Sequence, residues 1–228
     1  MQKTSESIEE KLMIPEAVIE TNSRSLIVKR MFDIILSLFG ILLSLPLWLL
    51  IALAIKLNDR GPIFYTHYRV GRRGKIFKAY KFRSMIKDAE REKGAVWAEE
   101  NDPRVTLIGQ ILRATAFDEF PQLINIFLGD MSFVGPRPER PELVERFSAE
   151  INNYDRRHGV KPGLTGIAQV FGKYDTKPRH KLKYDLLYVQ NQNFWLDLKL
   201  IMLSFWITAR GKWQSREKKK YTLLRGSR

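Results

Sequence analysis

Residues 34 to 55 read IILSLFGILLSLPLWLLIALAI and form an uncharged, strongly apolar run of 22 residues. As a straight helix this run would be about 33 Å long, close to the thickness of the hydrocarbon core of a bilayer. No small-residue cleavage site marks it as a removable signal peptide. The sequence therefore predicts a membrane segment that stays in the protein.

Basic residues flank both ends of this run. Lys29 and Arg30 precede it, and Lys56 and Arg60 follow it. Because basic residues favour the cytoplasmic side of a membrane, a helix that crosses once would place one of these pairs on the unfavourable side. A re-entrant hairpin keeps both pairs on the same face. We therefore expect a re-entrant membrane helix over residues 25–58 in preference to a single crossing.

Pro46 lies just past the middle of the run and gives such a hairpin a place to turn. Its ring and its missing N–H bend or break a helix. The backbone groups freed at a break inside a membrane need new partners. Ser44 supplies a hydroxyl group two residues earlier. The sequence thus predicts a helix broken at Pro46, with Ser44 stabilising the break.

The formal net charge of +14 lies downstream of this segment, because residues 1–30 carry five basic and five acidic side chains. A basic surface favours polyanionic partners, which include anionic lipid headgroups, nucleotide and lipid phosphates, and nucleic acid. The chain has no cysteine, which excludes disulfides, thiolate metal sites and a cysteine nucleophile. We expect a flexible tail over residues 1–24 and a basic tail over residues 213–228 near anionic lipid.

Between the tails, the patterns predict an α+β domain that is mostly helical. Residues 63–85 alternate β-forming and aromatic side chains around a Gly-x-x-Gly-Lys turn, which predicts a small β-hairpin. That turn is too short for a Walker phosphate loop. Helical patterns cover residues 84–100 and 106–114. The segment over residues 194–209 suits an interfacial amphipathic helix, with packing inside the core as the alternative.

Asp118 and Glu119 precede a helix that is expected to begin at Pro121 and to end at Gly129. Acidic residues at a helix N-terminus ordinarily cap the helix and interact favourably with its dipole. The Pro-rich loop that follows, in which Arg137 lies between two prolines, favours a functional role for the pair. An arginine held in this way loses little entropy when it binds a phosphate.

A third segment, Val160 to Gln169, again places a basic residue, Lys161, beside Pro and Gly. Its small residues would let backbone N–H groups approach an anion. An acidic pair, two basic loops and a membrane segment together indicate phosphoryl chemistry at a bilayer surface. One carboxylate can attack phosphorus, and a neighbouring carboxylate can hold Mg²⁺.

Seven motifs, taken together, resemble the monotopic phosphoglycosyl transferases, the bacterial sugar transferase family. The resemblance covers residues 29 to about 210. The motifs are Lys29-Arg30-Met31-Phe32-Asp33, Tyr80 to Met85, Asp102 to Thr106, Asp118 to Leu123, Gly129 to Pro138, Lys161 to Gly166 and Leu196 to Lys199. Members of this family usually carry Ser directly before the helix-breaking Pro, where this chain has Leu45, and this difference bears on the geometry of the membrane hairpin.

The resemblance implies a reaction in two steps. Asp118 would attack the β-phosphorus of a UDP-sugar and expel UMP, and a polyprenyl phosphate would then take the phosphosugar. Glu119 would bind Mg²⁺, and Arg113 and Arg137 would contact phosphate or nucleotide. The resemblance also implies the first membrane step of exopolysaccharide, capsule, O-antigen or glycan assembly. A catalytic domain over residues 59–212 would face the cytoplasm at the bacterial inner membrane, with downstream glycosyltransferases as possible partners.

The remaining candidates carry weaker signals. Lys81 and Arg83 alternate with aromatics in the predicted hairpin, where they could meet phosphates or form a solvated strand face. Gln169 closes the third segment, and Asp185 and Tyr188 are expected to support the site. No two of the three histidines have the spacing of metal ligands on a helix.

The competing hypothesis is a non-catalytic, membrane-anchored basic module that binds anionic lipid or nucleic acid. It accounts for the charge and the membrane segment. It gives no reason for an acidic pair in a basic protein, so we favour the enzyme and expect no nucleic-acid partner.

Overall fold

The computed structural model of the chain describes residues 23–87, 89, 102–172 and 176–209. The expected N-terminal tail apart from residues 23 and 24, the expected C-terminal tail and most of the expected helix over residues 84–100 lie outside this part of the chain. The described helices are α1 (Ser23–Asp59), α2 (Leu107–Thr115), α3 (Gln122–Leu128), α4 (Pro141–Glu150), α5 (Ile167–Phe171), α6 (Pro178–Asn191) and α7 (Phe194–Ala209). The described strands are β1 (Phe64–Val70), β2 (Ile76–Phe82), β3 (Ser132–Val134) and β4 (Gly163–Thr165). The described chain is therefore mostly helical with small sheets, as the sequence predicted.

Helix α1 is continuous, and Pro46 lies inside it. The prediction of a helix broken at Pro46 is therefore wrong. Proline removes one backbone N–H from a helix and so frees the carbonyl group of Leu42. The hydroxyl of Ser44 donates instead to the carbonyl oxygen of Gly40 at 2.6 Å, so it does not replace the lost bond as the sequence had suggested. Trp48 and Ile55, after the proline, are buried against the rest of the protein, as Asp33 is before it. Packing on both sides of Pro46 keeps the helix in one piece.

One face of α1 contacts the rest of the protein, and the opposite face is apolar and exposed. The inner stripe recurs every three or four residues, and its buried members are Asp33, Ser37, Trp48, Ile51 and Ile55. Large exposed side chains on the outer face include Ile35, Leu38, Phe39, Leu42, Leu43, Leu45, Leu49, Leu50 and Leu53. By length and composition α1 could cross a membrane. A continuous apolar surface of this kind is typical of a lipid-facing helix.

The basic residues before the apolar run bind the folded domain. Lys29 forms an ion pair with Asp197 of α7 at 2.5 Å. Arg30 donates two hydrogen bonds of 2.7 Å to carbonyl oxygens in the last turn of α3. Asp33 accepts a hydrogen bond of 3.0 Å from the hydroxyl of Ser132. Side chains that the sequence presented as charged flanks of a membrane segment thus fasten α1 to the domain.

Strands β1 and β2 form the predicted antiparallel hairpin. Its register pairs Phe64 with Phe82 and Val70 with Ile76. The turn needs the left-handed backbone region, which Gly74 occupies at a φ of 81°. The side chain of Asn125 on α3 bonds the backbone of β2 through the N–H of Tyr80 at 3.0 Å and the carbonyl of Lys78 at 2.8 Å. The hairpin and α3 are therefore held in one fixed arrangement.

Strands β3 and β4 pair in parallel, which the sequence did not indicate. Ser132 lies opposite Gly163, and Val134 lies opposite Thr165. The pairing brings the two Pro- and Gly-rich loops together. A Cβ atom at Gly135 would lie 2.2 Å from the carbonyl oxygen of Lys161, so only glycine permits this contact.

Helix α7 packs on the core, which was one of the two alternatives that its sequence left open. Leu200 and Ile207 are buried in the core beside Val134 and Tyr188. The other side exposes Trp195, Met202, Phe205 and Trp206, of which Trp195 and Phe205 are each 75% exposed. One face thus packs inside the domain, and the outer face presents large apolar side chains at the surface.

Candidate active site

The acidic pair lies in a short 3₁₀ turn, Phe117–Glu119, directly before α3. Ala116 joins α2 to this turn in the left-handed region, at a φ of 58°, which is unusual for a residue with a side chain. Gly129 ends α3 in the same region, at a φ of 97°. The predicted placement of Asp118 and Glu119 at the start of a helix is confirmed.

Two cations hold Glu119. The ammonium group of Lys81 lies 2.6 Å from Oε1. The guanidinium of Arg137 donates to both carboxylate oxygens, at 3.3 Å to Oε2 and by a second, short bond to Oε1. Burial by itself would raise the pKa of Glu119, but the charges of Arg137 and Lys81 outweigh it and hold the pKa below its usual range. Glu119 is therefore an ionised carboxylate with its donors already in place.

Asp118 is much less engaged than its neighbour. Its side chain is 12% exposed, and its Oδ2 lies 4.0 Å from the ammonium group of Lys81. Among the described residues, no side chain or backbone group donates a hydrogen bond to its carboxylate. Burial raises the pKa of Asp118, the charge of Lys81 opposes that change, and Glu119 adds to it. Asp118 thus presents a poorly solvated carboxylate beside one cation.

The loop that carries Arg137 is fixed through its backbone. Its four successive carbonyl groups, from Pro136 to Glu139, each accept a hydrogen bond. In chain order the donors are the N–H of Gly163 at 2.9 Å, the guanidinium of Arg157 at 2.9 Å, the guanidinium of Arg69 at 3.0 Å and the N–H of Val70 at 3.0 Å. Arg137 therefore reaches Glu119 from a backbone with little freedom to move, as its flanking prolines suggested.

Arg157, one of these donors, is buried and has several partners. It forms an ion pair with Asp185 at 2.8 Å, and the side chains of both residues are 3% exposed. It also donates to the hydroxyl of Tyr154 at 3.1 Å. Asp185, expected to support the site, does so through Arg157. Tyr188 contacts Asp197, at 2.7 Å, and so belongs to the attachment of α1.

The other predicted binding residues divide into two sets. Arg113 donates to the hydroxyl of Ser84 at 2.9 Å, and its charge is among those that lower the pKa of Asp118. Lys81, Arg113 and Arg137 thus surround the acidic pair. The remaining three lie against glycines in other parts of the structure: Arg83 against Gly61, Lys161 beside Gly129 at the far end of α3, and Gln169 beside Gly166.

The two carboxylates of the pair are suitable ligands for Mg²⁺, but by themselves they do not complete its coordination. Among the described residues, no group of three or more His, Asp or Glu side chains could hold a metal ion. Mg²⁺ commonly binds through one or two carboxylates together with substrate phosphates and water. Asp118 and Glu119 could supply the carboxylates of that pattern, and Glu119 would then have to exchange one of its two cations for the metal.

Comparison with known proteins identifies the family of the chain. The family model for bacterial sugar transferases matches residues 24–211. The UDP-glucose:undecaprenyl-phosphate glucose-1-phosphate transferase of Klebsiella pneumoniae is 40% identical over 209 residues, which cover 90% of this chain and 45% of that protein. A putative undecaprenyl-phosphate N-acetylgalactosaminyl 1-phosphate transferase of Bacillus subtilis is 49% identical over 140 residues, 61% of this chain and 78% of that protein.

The exopolysaccharide production protein ExoY of Rhizobium meliloti is 36% identical over 215 residues, which cover 88% of this chain and 94% of that protein. The chain spans less than half the length of the Klebsiella relative and nearly all of the Rhizobium relative. On the extent of these matches, the chain belongs to the bacterial sugar transferase family.

Proposed function

We propose that this protein transfers a sugar 1-phosphate from a UDP-sugar to a polyprenyl phosphate, such as undecaprenyl phosphate, and releases UMP. The observation that carries the proposal is the asymmetry of the acidic pair. Glu119 is bound by Lys81 and Arg137, while the buried carboxylate of Asp118 accepts no hydrogen bond from the described residues. The name of the Klebsiella relative contains a UDP-sugar and undecaprenyl phosphate, and the name of the Bacillus relative contains undecaprenyl phosphate.

In the first step, an oxygen of Asp118 attacks the β-phosphorus of the UDP-sugar. A new bond forms between that oxygen and phosphorus, and the bond between phosphorus and the bridging oxygen breaks. UMP leaves with the electron pair of the broken bond. A carboxylate that is poorly solvated and accepts no hydrogen bond has few interactions to break when it attacks phosphorus. This supports Asp118 as the nucleophile in preference to Glu119.

In the second step, a phosphate oxygen of the polyprenyl phosphate attacks the phosphorus of the Asp118 phosphosugar ester. The ester bond breaks, the carboxylate of Asp118 returns, and the product is a polyprenyl diphosphate sugar. Splitting the transfer into two displacements lets the water-soluble donor and the lipid acceptor use the same centre in turn.

The cations around the pair stabilise the charge that develops on phosphorus. Lys81 lies between the two carboxylates, and Arg137 presents its planar guanidinium from a fixed loop. Preorganised donors of this kind lower a barrier because they need little reorganisation during the reaction. Mg²⁺, when bound by Glu119 and the diphosphate, would neutralise further negative charge on the leaving group.

The attachment of α1 supports a topology in which both of its ends lie on the same side of the bilayer, as they would in a re-entrant segment. Arg30, before Pro46, and Ile55, after it, both contact the same folded domain. If that domain lies on one side of the bilayer, both ends of the continuous helix α1 lie on that side as well. We assign this side to the cytoplasmic face of the inner membrane, with the exposed aromatic face of α7 at the lipid surface and other membrane glycosyltransferases acting on the product.

The first test is intact-protein mass spectrometry after incubation with Mg²⁺ and a panel of UDP-sugars. The wild-type enzyme should gain the mass of one sugar phosphate and release UMP, and chelation of Mg²⁺ should prevent both. Asp118→Asn should form no adduct, while Glu119→Gln should form it slowly. If no donor yields an adduct or UMP, the enzyme hypothesis fails and the basic lipid-binding module takes its place.

A further inference from the structure

One face of the β1–β2 hairpin carries aromatic and cationic side chains next to the acidic pair. Tyr65 lies directly opposite Lys81 in the register, and directly opposed residues point to the same face. His67 follows two residues later, about 7 Å along the strand and on the same face. Because Lys81 binds Glu119, this strip, made of Tyr65, His67 and the nearby Arg140, begins at the proposed reaction centre.

The two rings of the strip are stacked. The centroids of Tyr65 and His67 lie 5.3 Å apart, with 23° between the ring planes. Ala79, opposite His67, is buried with Leu123 and Ile126 of α3. Helix α3 therefore covers the β2 side of this face, while Tyr65 and His67 stay partly exposed on the β1 side.

The imidazole of His67 is neutral at physiological pH. Burial lowers its pKa to about 2, and the charges of Arg69, Lys81, Arg140 and Arg137 act in the same direction. Its Nδ1 atom is buried and has no hydrogen-bond partner in the described part of the chain. The strip thus offers an uncharged, flat aromatic surface inside a cationic environment.

Arg140 links the aromatic surface to the cations of the site. Its guanidinium donates to the hydroxyl of Tyr65 at 3.4 Å. Its charge acts on Arg69 as well as on His67, which places it within the same cluster as Arg137. A ligand bound at the acidic pair therefore lies beside both cations and stacked rings on the same face of the hairpin.

We propose that Tyr65, His67 and Arg140 form the nucleoside subsite of the donor. The base stacks on the Tyr65–His67 pair, and the phosphate that carries the nucleoside lies at Arg140. The inference rests on the proposed function, because it assumes that a nucleotide-activated donor reacts at Asp118. A nucleotide carries its phosphates a few ångströms from a flat base, and the strip likewise places cations next to a flat aromatic surface. The acceptor phosphate has no base to stack.

Direct binding of UMP and of ribose 5-phosphate, measured by calorimetry on the full-length protein in nanodiscs, tests the subsite. Stacking of one base is lost when an aromatic residue becomes alanine, so Tyr65→Ala should weaken UMP binding about tenfold. The same change should leave the binding of ribose 5-phosphate nearly unaltered. Tyr65→Phe, which keeps the ring, should bind UMP far better than Tyr65→Ala.

The matched control is Tyr68→Ala, on the same strand but on the opposite face, where Tyr68 is 59% exposed. It should bind UMP as the wild type does. Equal weakening of both ligands by Tyr65→Ala, or no weakening of either, would overturn the nucleoside subsite.

Kinetics separate this inference from the proposed function. Tyr65→Ala should raise KM for the UDP-sugar and leave KM for the polyprenyl phosphate unchanged. The reverse pattern would assign the strip to the acceptor and overturn the inference, although the transferase activity would stand. Absence of any sugar-phosphate adduct on the wild type would end the proposed function, while UMP binding would still decide whether the strip recognises a nucleoside.

Discussion

The guanidinium of Arg157 donates a hydrogen bond of 2.9 Å to the carbonyl oxygen of Arg137. A buried arginine thus holds the backbone of an arginine that faces Glu119 at the surface. The same guanidinium is paired with Asp185, so an ion pair in the interior determines where a cation of the active site lies.

Replacement of Arg157 by lysine should slow adduct formation without abolishing it. Lysine keeps a charge for Asp185 but cannot also reach the carbonyl of Arg137 with a planar fork. We expect a decrease of about tenfold in the rate of adduct formation, since a 1 Å displacement of a catalytic group can cost up to a hundredfold. Arg156→Lys, at the exposed neighbouring position, is the control. Equal rates in both variants would contradict a positioning role.

Replacement of Lys81 by methionine should reduce adduct formation by a factor of about 10² to 10³, the usual loss when one preorganised donor is removed. Methionine has a similar length but no charge, so Glu119 would keep only Arg137. The control is Lys78→Met, on the opposite face of β2 and exposed, which should react at the wild-type rate. Stopped-flow release of UMP measures both. A wild-type rate in Lys81→Met would remove Lys81 from the reaction centre.

The attachment of α1 should depend on the ion pair between Lys29 and Asp197. Their side chains are only 12% and 4% exposed, and removal of one partner of a buried pair costs about 3–5 kcal/mol. Lys29→Met should therefore lower the thermal unfolding temperature in detergent. The double variant with Asp197→Leu should recover part of the loss, because no buried charge stays unpaired. Lys56→Met, exposed at the other end of α1, should leave the unfolding temperature unchanged.

His158 should make the protein less stable as the pH falls. Burial lowers its pKa to about 3, with the charge of Arg157 acting in the same direction. An unfolded chain takes up a proton below pH 6.5, but the folded protein does so only near pH 3. The free energy of unfolding is therefore unaffected by this proton uptake above pH 6.5. Below pH 6.5 it decreases by about 1.4 kcal/mol for each pH unit.

The variant His158→Phe keeps an aromatic ring beside Tyr154 and cannot be protonated. Between pH 7 and pH 5 the wild type should lose about 2 kcal/mol more unfolding free energy than this variant. Chemical denaturation at the two pH values measures the difference. Parallel losses in the two proteins would show that His158 is not the titrating group.

The topology of α1 can be tested by labelling, since the chain has no cysteine of its own. Ser25→Cys and Asn58→Cys, introduced one at a time near the two ends of α1, should both react with an impermeant reagent applied from the cytoplasmic side. A helix that crosses the bilayer would expose the two positions on opposite sides. Reaction of either cysteine only from the periplasmic side would end the re-entrant interpretation.

Features that depend on neighbouring residues could be predicted from the chain alone. The β-hairpin follows from alternating side chains and a Gly turn, and the helix from Pro121 to Gly129 follows from its end signals. The position of Asp118 and Glu119 before that helix follows as well. These signals act within a few residues, where backbone geometry and side-chain chemistry are coupled directly.

Features that depend on distant partners could not be predicted in this way. The prediction of a break at Pro46 considered the lost hydrogen bond of proline, but not the packing of α1 on the domain before and after it. Arg157 lies 20 residues from the carbonyl that it holds, and Arg69 lies 69 residues from the carbonyl of Pro138. No local pattern distinguishes these two arginines from the many solvated ones in a basic chain.

The amino-acid sequence alone was therefore sufficient to predict the apolar segment, the family resemblance and the acidic pair, because each depends on short stretches of consecutive residues. Only the folded protein decided that Glu119 is held by two cations while Asp118 is left without a hydrogen-bond donor among the described residues. That difference arises because strand β2 and the Arg137 loop, far apart in the chain, converge on adjacent carboxylates and reach them unequally.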